Sequence, residues 1–144
     1  MKYKVDVIIN IPRDKMLVLF EDMEFMKEWQ DGFVSLTHLE GNKGEVGGKS
    51  LLKYNSRGKT SEIVETILEK DLPNTFNFLY EAKGVENISK NTFVDLGDKT
   101  RWEAEHEFMF TGIMKIMSKL FKGAFVSQTT KDMNSFKLHA EQVD

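Results

Sequence analysis

Gly112–Gln142, GIMKIMSKLFKGAFVSQTTKDMNSFKLHAEQ, decides the fold. It is the one long run with helical periodicity and no proline. At ~100° per residue, Ile113, Met117, Leu120 and Ala124 form one apolar stripe, with Met114 and Phe121 beside it. Val126, Thr129, Met133, Phe136 and Ala140 form a second stripe, nearly opposite the first on an ideal helix. One straight helix cannot turn both stripes to the same core. The pattern predicts a break near Gly123, where glycine bends cheaply. An amphipathic cap precedes the break and a core helix follows it.

Working outward, Phe33 to Phe110 has period two, the signature of strands. Phe33–Glu40 is a strand closed by Gly41, Asn42 and Gly44, and Gly47-Gly48 marks a bend or bulge. Ser50, Leu52, Tyr54 and Ser56 share one face of the next strand. In Glu62–Lys70 the inner face is ambiguous, because Val64, Thr66 and Leu68 compete with Ile63 and Ile67. Asp71-Leu72-Pro73-Asn74 is a turn. Phe76, Phe78, Tyr80 and Ala82 line one face of a further strand, and 85–96 is another. Residues 99–110 alternate most cleanly, with Trp102, Ala104, His106, Phe108 and Phe110 against Arg101, Glu103, Glu105 and Glu107. At the other end, Tyr3, Val5, Val7, Ile9 and Ile11 line one face of a first strand. Pro12 ends it, and two short helices follow at 13–21 and 23–29.

Composition sets the outer limits. The chain has 144 residues, which predicts a single domain over 1–144. Apolar residues are 40% and charged residues 30%, an ordinary globular balance. Net charge is −3 with no basic stripe, which argues against a nucleic-acid partner. There is no cysteine, so disulfides, thiolate nucleophiles and cysteine-ligated metals are excluded together. The N-terminus lacks the apolar run of a signal peptide, and no apolar run reaches the ~20 residues that span a bilayer. A soluble, cytoplasmic protein is expected, either monomer or homodimer.

The order of elements resembles the helix-grip fold, the superfamily of START domains, the birch-pollen-allergen group and polyketide cyclase/dehydrase-like proteins. The residues that carry the likeness are Ile9, Ile11, Pro12, Phe20, Asp22 and Trp29, then Gly47-Gly48, then Phe136-Lys137 and Glu141. They resemble the small bacterial polyketide cyclase/dehydrase-like branch, with Phe136 where that branch often has leucine. The fold class so implied is α+β, a curved antiparallel sheet of about seven strands around a long C-terminal helix. The resemblance also implies a cavity between sheet and helix that takes apolar small molecules. It carries over no catalytic residue and no cofactor.

The inward aromatic set is Tyr54, Phe76, Phe78, Tyr80, Trp102, Phe108 and Phe110, either cavity wall or ordinary core. The expected ligand contacts are Tyr54, Phe78, Tyr80, Trp102, His106, Phe108, Met117, Phe121 and Met133, around a small hydrophobic or aromatic molecule. His106 lies mid-strand on the apolar face, either as a satisfied core histidine or as a group that orients a ligand or acts as base. Glu62 or Glu65 points inward whichever register holds, and Glu65 is the carboxylate candidate for acid–base work. An enzyme of the cyclase or dehydrase kind, using His106 or that glutamate, is the alternative to a binding protein. His38 and His139 read as surface residues, and three scattered histidines give no metal spacing. Glu103, Glu105 and Glu107 read as a solvated sheet face. Lys115, Lys119 and Lys122 flank the apolar cap, which is read as a lid with its lysines in water. Lipid transfer, with 112–123 touching a membrane, is the remaining alternative.

Overall fold

The alternation read in the sequence becomes a single sheet in the computed structural model, which describes residues 1–143. In chain order the elements are β1 (Lys2–Ile9), α1 (Arg13–Phe20), α2 (Met23–Trp29), β2 (Phe33–Glu40), β3 (Lys49–Ser56), β4 (Lys59–Asp71), β5 (Thr75–Ala82), β6 (Val85–Asp95), β7 (Thr100–Phe110), α3 (Ile113–Leu120) and α4 (Lys122–Ala140). The seven strands run β1-β7-β6-β5-β4-β3-β2 and every pair is antiparallel. Consecutive strands β2 to β7 are neighbours, as short turns dictate. The exception is β1, which pairs with β7. The helices α1 and α2 therefore carry the chain from one edge of the sheet to the other.

Two local features explain what the sequence left open. The register of β4 against β5 shifts between Ile67 and Glu69. Leu68 is the extra residue and stands 42% exposed. This bulge breaks the alternation and is the reason the inner face of the strand is hard to read. Gly47 and Gly48 close on it, with Gly47 N–H donating to the Ile67 carbonyl at 2.8 Å and Ile67 N–H to the Gly48 carbonyl at 3.0 Å. A side chain at Gly48 would meet the Asn42 carbonyl oxygen at 2.6 Å, so the bend admits only glycine.

The C-terminal run is indeed two helices. The interruption is at Phe121 (φ −117°, ψ 25°), not at Gly123, which falls in the first turn of α4. The break does not turn the first stripe to the core, since α3 has no buried residue. The second stripe reaches the core, where Met133, Phe136 and Ala140 are buried. Phe136 meets Phe25, Trp29 and Trp102 edge-on, each with centroids 5.3 Å away. Its neighbours staple the helix to the sheet. Lys137 Nζ donates to the Ile8 carbonyl (2.9 Å) and to Glu141 Oε2 (2.6 Å), and Glu141 Oε2 also accepts the Asn10 N–H (2.9 Å). The Phe136-Lys137…Glu141 pattern is thus a docking device for α4 on the end of β1.

Candidate ligand cavity

Between the concave face of the sheet and α4 lies a cavity of about 630 Å³. Its aromatic wall comes from β5, where Phe76 and Phe78 stack with centroids 4.5 Å apart and Tyr80 follows at 5.7 Å from Phe78. Alternate residues of a strand share a face, so three aromatics at i, i+2 and i+4 make one continuous surface. The floor is the cluster in which Phe20, Trp29, Trp102 and Phe136 meet edge-on. Only one side of this cluster faces the cavity; the other is ordinary core.

A second wall is polar. Along β6, Asn87, Ser89 and Asn91 point inward and are buried. Asn91 is the hub: Oδ1 accepts Trp102 Nε1–H at 2.9 Å, and Nδ2 donates to the Phe76 carbonyl (3.0 Å) and Ser89 Oγ (3.2 Å). Asn87 Oδ1 lies 3.3 Å from His106 Nδ1. His106 also stacks beside Phe108 and packs at a tilt against Tyr3. Burial pushes its pKa down to about 4, so the imidazole is neutral at neutral pH. The partner that satisfies it is the Asn87 side-chain amide.

The carboxyl of Glu65 settles the register of β4: Ser61, Ile63, Glu65 and Ile67 line the cavity. Glu65 stands opposite Tyr80 in the ladder. Burial raises its pKa to about 7, against a smaller lowering by the Tyr80 hydroxyl beside it. Tyr80 and Tyr54 are both held well above the ordinary phenol range, by burial first and by the Glu65 charge second. Tyr54 donates its hydroxyl hydrogen to Gln30 Oε1 at 2.6 Å. From α4 comes Asp132, which accepts from Gln128 Nε2 at 2.9 Å and is raised by burial to about 6. Among the described residues, Lys43 is the only lysine or arginine lining the cavity, on the β2–β3 turn. Asp31, also on the lining, is paired with Lys131 at 3.3 Å.

Tyr54, Glu65, Phe78, Tyr80, Trp102, His106, Phe108 and Met133 all line the cavity. Met117 and Phe121 do not, which corrects the expectation of a lid. They stand 37% and 52% exposed on the far side of the helical break. The polar row of β6 and Asp132 were missed. VENISKNTFVD carries polar residues on both faces, so its alternation gives no sign of which face turns inward. Glu103, Glu105 and Glu107 lie on the outer face, across from Asp6, Lys4 and Lys2 of β1.

No family model matches the chain, and no curated protein does. Solved structures do resemble it. Protein CV1439 from Chromobacterium violaceum is 14% identical over 99% of both chains, with a TM-score of 0.79. The Zhui aromatase/cyclase from Streptomyces sp. R1128 is 12% identical over 99% of this chain and 94% of its own, with a TM-score of 0.80. Ara h 8.0201 is 13% identical over 94% of this chain and 97% of its own, with a TM-score of 0.68. At such identities the likeness is one of architecture, and it agrees with the strand order and the placing of α4. The chain has the helix-grip fold, the architecture it shares with the Zhui aromatase/cyclase and Ara h 8.0201 structures.

Proposed function

We propose that the protein binds a small, mainly aromatic or apolar molecule in this cavity, with an uncharged or cationic polar end turned toward Glu65. The observation that carries the reading is a carboxyl set among aromatic rings with no cation aimed at it. A dry void of about 630 Å³ would cost about 15 kcal/mol at ~24 cal/mol per Å³. That equals or exceeds the ~5–15 kcal/mol stability of a whole domain, so the space is solvated or occupied. Phe76, Phe78 and Trp102 offer faces for stacking. Glu65, Tyr80 and Asn87 offer donors and acceptors that fix one end of a ligand. An anionic end is disfavoured, because it would meet the Glu65 and Asp132 carboxylates in a site of low dielectric.

Two probes with the same apolar body test this. N-phenyl-1-naphthylamine is uncharged, and 8-anilino-1-naphthalenesulfonate adds a sulfonate. The neutral probe is expected to brighten on binding and to quench Trp102, and the sulfonate is expected to bind at least tenfold more weakly. Glu65→Gln should narrow that gap. Equal affinity for both probes, or no response to either, overturns the reading.

A second reading, acid–base catalysis, is supported by one feature. A glutamate with a pKa of about 7 is suited to exchange a proton at neutral pH. His106, at about 4, is a poor base there. Retention of full turnover on a poly-β-ketone substrate by Glu65→Gln would eliminate this reading.

A further inference from the structure

The helix α3 has an apolar arc that none of the described residues covers. It has no buried residue. Ile113, Ile116 and Leu120 are 74%, 66% and 72% exposed, and Phe121 follows at 52%. On an ideal helix Ile113, Ile116, Met117 and Leu120 span an arc of about 100°. Lys115 and Lys119 lie on the opposite side. Met114 and Ser118, both half-buried, face the protein between them. Met114 packs on Gly84 so closely that a side chain there would meet its Cγ at 2.9 Å. The helix is thus fixed against the β5–β6 turn with its apolar arc turned outward.

Charge selects the occupant. Residues 112–122 hold Lys115, Lys119 and Lys122 and no acid, in a chain whose net charge is −3. A second copy on the same arc would leave Lys115 and Lys119 without partners, because a two-fold interface matches a patch with itself and α3 holds no acid. Two turns of helix, about 12 Å long, also offer far less than the ~800 Å² per partner of a stable interface. An anionic bilayer meets both halves of the pattern: the acyl boundary takes the isoleucines, leucine and phenylalanine, and the headgroups take the lysines.

We propose that α3 and Phe121 form a docking surface for a phospholipid bilayer that bears anionic headgroups. The surface lies beside the end of the cavity marked by Ala82, Val85, Phe108 and Phe125, so a docked protein holds that end toward the lipid. The proposal rests on the exposed face and its charge, independently of what the cavity binds.

The test is flotation of the full chain with vesicles of phosphatidylcholine alone, or mixed with phosphatidylserine. Wild-type protein is expected to float with the mixed vesicles, weakly with phosphatidylcholine, and less as salt rises. Lys115→Gln with Lys119→Gln should weaken binding roughly 25-fold, at about fivefold per lysine. Leu120→Glu should abolish it. Both variants alter exposed positions, and circular dichroism with thermal unfolding checks that each still folds. Equal binding to both vesicles, no binding to either, or binding that Leu120→Glu leaves intact overturns the proposal. So does a wild-type dimer that Leu120→Glu turns into a monomer, since a second copy would then be what covers the face.

Discussion

Replacing Glu65 with glutamine should remove a pH dependence whose size follows from its surroundings. The carboxyl moves from its ordinary 4.5 to about 7 on folding, chiefly by burial. A raised acid pKa means that the folded state binds the proton more tightly than the unfolded state. The contribution is fully present below 4.5 and is lost as pH rises toward 7. At ~1.4 kcal/mol per pH unit the full loss is about 3 kcal/mol. His106 works in the opposite sense. Its folded pKa is depressed to about 4, so its contribution is present above 6.5 and is lost as pH falls through 4. Over the range they share, the two slopes oppose each other, and the pH profile of the wild-type protein alone would hide both. The difference between wild type and Glu65→Gln cancels the histidine. Urea unfolding of both proteins from pH 4 to 8 should show the variant gaining on the wild type by about 3 kcal/mol across that range. A flat difference would show that Glu65 is solvated like a surface carboxylate. The argument for a desolvated carboxyl in the cavity would then fail.

Other substitutions separate core from cavity. Phe136→Ala removes a fully buried ring between Phe25, Trp29 and Trp102 and should cost ~3–5 kcal/mol in urea unfolding. A cost below ~1 kcal/mol would mean that the cluster relaxes freely. Asn91→Leu strands the Trp102 indole N–H and the Phe76 carbonyl and should cost ~1–3 kcal/mol by the same measurement, despite the added apolar volume. Burial is the largest single influence on the Glu141 carboxyl and raises its pKa, but the bonds from Lys137 and Asn10 together outweigh it and hold the pKa below the ordinary value. That contribution is present above 4.5 and is lost as pH falls. Glu141→Gln should therefore cost up to ~1 kcal/mol at pH 7 and nothing at pH 3.

The fold was legible wherever one face of an element is dry and the other wet. β7 is the clearest case: Trp102, Ala104 and Phe108 alternate with outward glutamates, and the structure places each where its period says. β1 reads as well for the same reason. The cavity wall was harder, because a cavity with polar groups is neither dry nor wet. Asn87, Ser89 and Asn91 face inward with the composition of a surface, and the hydrogen bonds they make with Trp102, His106, one another and backbone carbonyls explain them. In β4 the bulge at Leu68 changed the phase midway. The first stripe of the C-terminal run misled in the other direction. Periodicity shows that a helix has an apolar face but not what the face meets, and the stripe of α3 meets solvent.

The division of labour within α4 explains how a stable fold keeps so large a cavity. Its C-terminal half is locked by Met133, Phe136 and Ala140 in the core and by Lys137 and Glu141 on the end of β1. Its N-terminal half is held by Tyr3, which bonds Thr129 at 2.7 Å and the Phe125 carbonyl at 3.2 Å, by the Phe125 ring against Phe108 and Phe110, and by Lys131 on Asp31. Between the ties, Gln128, Thr129 and Asp132 face the cavity where a core helix would present leucines. Filling those positions with apolar residues would bury more surface and stabilise the chain. It would also close the space in front of Glu65. Polar residues on the inner face of a core helix are a stability cost, and the binding function proposed above accounts for that cost.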